Sequence, residues 1–183
     1  MISEQYKNWM TTLHQRKGMG AASKKPKGQT PLWRCPEVIE KYQPKTVLDF
    51  GCGQGGLIRD LSEMYPDIEF VGYDPGVPQF SQLPEDRQFD LIVSFDVIEH
   101  IEPDHLAENL QKLMKMGKNF YLDICTGPAK KKLPDGRNAH LIQESDEYWT
   151  PWMQHFGDIK EMYYEPKRPA NLIYIIEGKN ETE

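Results

Sequence analysis

Three groups of residues in this chain carry side chains that can do chemistry. Asp96, Glu99 and His100 are spaced i, i+3, i+4 in Asp96-Val97-Ile98-Glu99-His100-Ile101, so one helical turn would bring them to one side. A neutral imidazole at His100 could take the proton from a substrate hydroxyl. His140, on a later polar loop, could reach the same cleft. Asp96, Glu99, His100 and His140 would also make a donor set for Mn, Fe, Zn or Co, although the spacing alone assigns no metal. The two acids have a plainer reading, a capping box in which Asp96 caps a helix and Glu99 reaches back. That reading leaves His100 unexplained. The second group is Asp49 followed by Gly51, Gly53, Gly55 and Gly56, with Cys52 in their midst, where its small size is reason enough for it. The third is Asp74, whose carboxylate could accept both hydrogen bonds of a diol. It could equally open the turn at Pro75-Gly76.

The elements around these groups place them. Val47, Leu48 and Phe50 are strand formers, and Leu57, Ile58, Leu61 and Met64 repeat at helical spacing until Pro66. A strand, a glycine turn and a helix N-terminus form a nucleotide-binding corner. Gly51, Gly53 and Gly56 also satisfy G-x-G-x-x-G, the dinucleotide pattern, so the glycines do not name the nucleotide. Asp49 discriminates. A carboxylate at the end of this strand would repel a pyrophosphate and attract a cation. S-adenosylmethionine has no phosphate and carries a sulfonium and an ammonium. Ile68–Asp74 alternates like a neighbouring strand, which puts Asp74 beside the same corner. Phe89–Phe95 reads as a buried strand ending at Asp96, and a helix from Pro103 to Gly117 leads to a further strand at 119–125. Residues 145–156 suit a helix, and two strands follow at 158–165 and 172–177.

The stretch from Asp49 to Gly56 resembles motif I of the class I S-adenosylmethionine-dependent methyltransferases. The string Asp96–Ile101 is similar to that of the ubiquinone-biosynthesis type of small-molecule methyltransferase. A related Glu-x-x-Glu-His occurs in small-RNA 3′-end 2′-O-methyltransferases, where it helps bind a metal. The resemblance covers roughly residues 46–125. It implies an α/β fold, a doubly wound and mostly parallel sheet of seven strands, or of six with a shortened third strand, closed by a C-terminal antiparallel hairpin. The third strand is expected near 77–80, because only the 14 residues 75–88, broken by three prolines, span a region that normally holds a helix and a strand. Phe80 or Leu83 is the candidate to pack on the adenine. The resemblance places Asp49, Gly51, Cys52, Gly53 and Gly55 at the cofactor, with Asp74 and Pro75 at its ribose and Phe95 and Asp96 at its methionine part. His100, His140 and Asp96 are the expected catalytic residues.

Length and composition fit one globular domain, 1–183, with a helix and basic loop at 1–34 and a Rossmann-like core at 45–178. Tyr6, Trp9, Met10 and Leu13 form the apolar stripe of that first helix. Residues 14–34 then hold six cations and no acid, a candidate lid over an anionic substrate or a solvated linker. A second basic group is Lys130, Lys131, Lys132 and Arg137. Net charge is −6, which argues against a broad nucleic-acid footprint. Three widely spaced cysteines fit a reducing, cytoplasmic setting, and no apolar run is long enough to span a bilayer. The expected activity is methyl transfer to O or N of a small, anionic acceptor such as a sugar or nucleotide-linked metabolite. Methylation of an RNA end, a cofactor-binding subunit without chemistry and an NAD-linked reductase are the competing readings. The last is disfavoured by Asp49.

Overall fold

The computed structural model describes residues 2–15, 32 and 34–179. Arg16, Lys17, Lys24, Lys25 and Lys27 of the expected basic loop lie outside the described residues. Six strands form one sheet in the order β2-β1-β3-β4-β6-β5. They are β1 (Thr46–Phe50), β2 (Glu69–Tyr73), β3 (Leu91–Phe95), β4 (Asn119–Cys125), β5 (Gly157–Glu165) and β6 (Arg168–Gly178). The first four are parallel, and β6 runs antiparallel to both β4 and β5.

Helices cover both faces, which is why the central strands bury apolar side chains on both sides of the sheet rather than on one. Leu48, Ile92, Phe120 and Leu122 face α4 (Pro103–Met116) and α5 (Asp146–Phe156). Val47, Leu91, Val93 and Tyr121 face α2 (Cys35–Tyr42) and α3 (Gly56–Met64). The N-terminal helix α1 (Glu4–Gln15) sets Tyr6 against Leu133 and Ala139 of the loop after β4. Glu102 anchors its start, accepting hydrogen bonds from Ser3 N at 2.7 Å and Ser3 Oγ at 2.9 Å.

Two expectations change. No strand forms at 77–80: Pro78–Phe80 is a single 3-10 turn, and β2 is the edge of the sheet. Pro78 cannot donate to a ladder, and the segment folds back on itself when Asp74 N–H donates to Phe80 O at 2.9 Å. The Phe80 ring lies on the glycine turn, where a Cβ added at Gly55 would come within 2.8 Å of it. Leu83 packs instead against the α4/α5 core. The C-terminal hairpin is also longer than its hydrophobic pattern suggests. Its turn is only Pro166-Lys167, and β6 begins at Arg168. Arg168 and Asn171 thereby come beside the C-terminal end of β4, where Asn171 pairs with Cys125.

Candidate active site

The carboxyl ends of β1 to β4 meet at one edge of the sheet, where loops can present side chains to a ligand. At β1 the chain turns through Gly51, Gly53 and Gly55 with φ of 87°, 55° and 73°. Gly51 has no alternative there, because a Cβ would lie 2.2 Å from Val97 Cγ2. The turn is tied to β2: Gly51 N–H and Cys52 N–H both donate to Tyr73 O, at 2.7 and 3.0 Å. Asp74 completes the tie, accepting Gly53 N–H at 2.9 Å and Gly76 N–H at 2.8 Å. It therefore does open the Pro75-Gly76 turn. Cys52 is buried with its sulfur against Gly72, and burial pushes its thiol pKa up. Pro75 is half-buried, and the Phe95 ring packs at a tilt on Tyr121 with centroids 5.3 Å apart.

Asp49 is buried, and no hydrogen bond from the described residues reaches its carboxylate. Burial first, and the charge of Asp74 second, push its pKa from 3.8 to about 7. A buried carboxylate with an acid for its nearest charge is a site for a cation. The corner thus fits the sulfonium and ammonium of S-adenosylmethionine and disfavours a diphosphate.

The second constellation lies at the ends of β3 and β4. Asp96 leaves β3 with φ of 52°, and Ile98–His100 form a 3-10 turn. The capping box is not formed. No side chain caps that turn, and Asp96 is held elsewhere, accepting from Arg168 Nη1 at 3.2 Å and from Asn171 Nδ2. The same two residues hold Asp123, which is fully buried. Burial and then Asp96 raise the pKa of Asp123 to about 6, against the pull of Arg168.

Glu99, by contrast, turns inward. It is fully buried, with Oε1 accepting Cys125 N–H at 3.2 Å and Oε2 without a hydrogen-bond partner among the described residues. Its main-chain oxygen accepts Leu141 N–H at 2.9 Å and Ile142 N–H at 3.0 Å, which brings the loop after β4 over the 3-10 turn. His140 arrives with that loop, its Nε2 3.8 Å from Glu99 Oε1. His100 Nδ1 donates to Ala139 O at 2.7 Å, and His140 Nδ1 donates to Gly127 O at 2.6 Å. A carbonyl can only accept, so in the neutral rings each Nδ1 carries the proton and each Nε2 presents a lone pair. The two rings meet edge to face with centroids 4.6 Å apart. One donor atom from each of Glu99, His100 and His140 lies within 4.8 Å of the others.

The sequence-derived residues are thus sorted. His100 and His140 come together, and Asp96 joins Arg168 and Asn171 instead. Glu99 enters the cluster as its buried carboxylate. Arg168, Asn171 and Asp123 were missed, because a hairpin register decides that they meet, and only the isolated acid in the apolar run 120–124 hinted at it. Arg34, the one described cation of the N-terminal basic stretch, pairs with Glu37 at 2.6 Å and with Tyr163 Oη on the outside of β5. Lys130 and Lys132 are exposed on the loop that carries His140.

A sheet of this order, its acid-and-glycine corner and an empty-handed buried carboxylate define a class I S-adenosylmethionine-dependent methyltransferase. The family model described as a methyltransferase domain matches residues 30–164, well over half of the chain. The chain belongs to that family, and S-adenosylmethionine is its cofactor. A search of curated protein sequences finds no match. Solved structures share the fold. The mitomycin 7-O-methyltransferase MmcR aligns at TM-score 0.59 and 12% identity, over 82% of this chain and 55% of its own length. This chain therefore spans little more than half of that protein. The methyltransferase domain of a bacterial Hen1 (CtHen1-CN) aligns at TM-score 0.56 and 16% identity, over 80% and 96%. The 1,6-didemethyltoxoflavin N1-methyltransferase of Burkholderia thailandensis, solved with S-adenosylhomocysteine, aligns at TM-score 0.55 and 14% identity, over 81% and 78%.

Proposed function

We propose that this methyltransferase O-methylates a sugar or nucleotide-linked sugar, with a divalent cation on Glu99, His100 and His140 beside the reacting hydroxyl. The observation that carries this reading is the cluster itself. A fully buried carboxylate with an unsatisfied oxygen stands among two imidazoles whose Nδ1 atoms are already committed to carbonyls. Such an oxygen costs stability unless something positive takes it. Two nitrogens and a carboxylate suit Mn, Fe, Co or Zn.

S-adenosylmethionine supplies a methyl carbon on a sulfonium leaving group, and a bound cation would make the acceptor hydroxyl more acidic. The chain does the rest. Asp49 holds the positive end of the cofactor, and Asp74, at the end of β2, receives the ribose hydroxyls. The glycine turn fixes where the methyl carbon sits. The 3-10 turn and the loop after β4 fix where the hydroxyl sits, so the two reactants meet in line. As the C–O bond forms and the C–S bond breaks, the hydroxyl proton passes to water. Exposed Lys130 and Lys132, on the His140 loop, support negative charge on the outer part of the acceptor.

A second reading, an RNA 3′ end as acceptor, draws on the same cluster and on the likeness to the bacterial Hen1 domain. The net charge of −6 weighs against it. One experiment tests the proposal. Protein purified without chelator should bind Mn(II) at one site per chain, and Glu99→Gln should weaken that binding at least about tenfold. Methyl transfer from labelled cofactor, screened over sugar phosphates, nucleotide sugars and short RNA ends, should stop on chelation and return with metal. Chelation-resistant turnover would refute the metal reading, and turnover on RNA ends alone would favour the second acceptor.

A further inference from the structure

Glu99 belongs to a second group of donors. One ligand atom from each of Asp96, Glu99 and Cys125 lies within 4.8 Å of the others, as in the cluster with His100 and His140. The backbone sets this group too. Cys125 ends β4, and its N–H donates to Glu99 Oε1 at 3.2 Å. Asp96 follows β3, the parallel neighbour of β4, with its N–H donating to Asp123 O at 3.0 Å. Glu99 is fully buried, and its Oε2 has no hydrogen-bond partner among the described residues. A carboxylate oxygen at that depth is costly until something positive takes it. The Cys125 thiol is half-buried and makes a long, weak bond, Sγ to Gly127 O at 3.8 Å. The Asp96 side chain is 42% exposed, so an ion can enter past it from solvent. The charge suits a cation as well. Asp96, Glu99 and Asp123 gather at the ends of β3 and β4, and the guanidinium of Arg168 on Asp96 and Asp123 offsets one of the three.

We propose that Asp96, Glu99 and Cys125 form a second cation position, for a thiophilic ion of the zinc class, with Glu99 as the carboxylate it shares with the His100 and His140 cluster. The shared carboxylate ties this position to the proposed metal reading of that cluster, while the thiol gives it a signature of its own. Donors on one zinc ion stand about 3–4 Å apart, so the three atoms need to draw in by about an ångström, and water can fill the fourth place. Sulfur sets the preference: a thiolate favours Zn(II) or Cd(II) over Mn(II) or Mg(II). On binding, the Cys125 thiol gives its proton to water and releases Gly127 O. That oxygen still accepts His140 Nδ1–H at 2.6 Å, so the first cluster keeps its orientation. Glu99 has one oxygen for each ion, the bridging arrangement of two-metal centres.

The test uses the full chain with Cd(II) as the probe. Titration should raise a thiolate-to-cadmium charge-transfer band in the ultraviolet, and Cys125→Ser should abolish it. Asp96→Asn and Glu99→Gln should each need at least about tenfold more Cd(II) for the same band. His140→Gln should keep the band at wild-type affinity, and Cys125→Ser should keep Mn(II) and S-adenosylhomocysteine binding. Absence of the band in the wild-type protein overturns the proposal, as does a band that survives Cys125→Ser. A band indifferent to both Asp96→Asn and Glu99→Gln means a thiol binding alone, and also overturns it. So does loss of the band in His140→Gln, or loss of Mn(II) in Cys125→Ser with S-adenosylhomocysteine still bound, since either makes the two groups one site. If Mn(II) does not bind but the Cd(II) results hold, the metal reading of the first cluster fails and the second position stands.

Discussion

Replacing Asp49 by Asn should stabilise the cofactor-free chain and at the same time weaken its grip on S-adenosylmethionine. The carboxyl is buried, and its pKa moves from 3.8 to about 7, through burial first and Asp74 second. Between those values the unfolded chain has released a proton that the folded chain keeps. Wild-type stability therefore falls as pH rises through that window, and the loss is complete above about pH 7. Each pH unit is worth about 1.4 kcal/mol, so the full span would amount to about 4 kcal/mol. Relaxation around the site reduces this to roughly 2–4 kcal/mol. Asn keeps the shape and removes the charge. Urea unfolding of both proteins should show a stability difference in favour of Asn that is small at about pH 4 and levels off at about pH 7. In calorimetry the variant should bind S-adenosylmethionine at least about tenfold more weakly, with a smaller loss for S-adenosylhomocysteine, which lacks the sulfonium. A pH-independent difference, or unchanged binding of the sulfonium, would refute the electrostatic argument for this corner.

Two further substitutions probe how the site is built. Arg168→Ala should cost roughly 2–4 kcal/mol, because Asp123 then stays buried with Asn171 as its remaining side-chain donor. The cost should grow as pH rises above about 6, where Asp123 ionises, and denaturant unfolding at several pH values checks it. Gly51→Ala combines a left-handed backbone with a Cβ pressed on Val97. It should lower stability by roughly 1–3 kcal/mol and weaken cofactor binding, seen as a lower melting temperature with a smaller rise on adding S-adenosylhomocysteine.

Much of the architecture was legible in local patterns. The apolar runs Thr46–Phe50, Leu91–Phe95 and Asn119–Cys125 are strands because both their faces are buried, and α3 and α4 follow from helical spacing ended by Tyr65-Pro66 and Gly117. The 77–80 segment was misread because the fold ordinarily has a strand there, while its own prolines favour a turn. The spacing of Asp96 and Glu99 also fits a capping box, which does not form, because spacing does not tell which side chain turns into the core.

What the sequence determined by itself is local: which runs form strands and helices, where glycine must turn the chain, and that an acid stands where the first strand meets its glycines. What only the tertiary structure decided is the pairing of distant groups. Glu99 meets His140 because two amides of the loop after β4 bind one carbonyl at Glu99. Arg168 and Asn171 reach Asp96 and Asp123 because β6 lies antiparallel to β4 in one particular register. Propensity and periodicity act over a few residues along the chain. A site assembled from five separate segments is set by the packing and hydrogen bonds that bring those segments together.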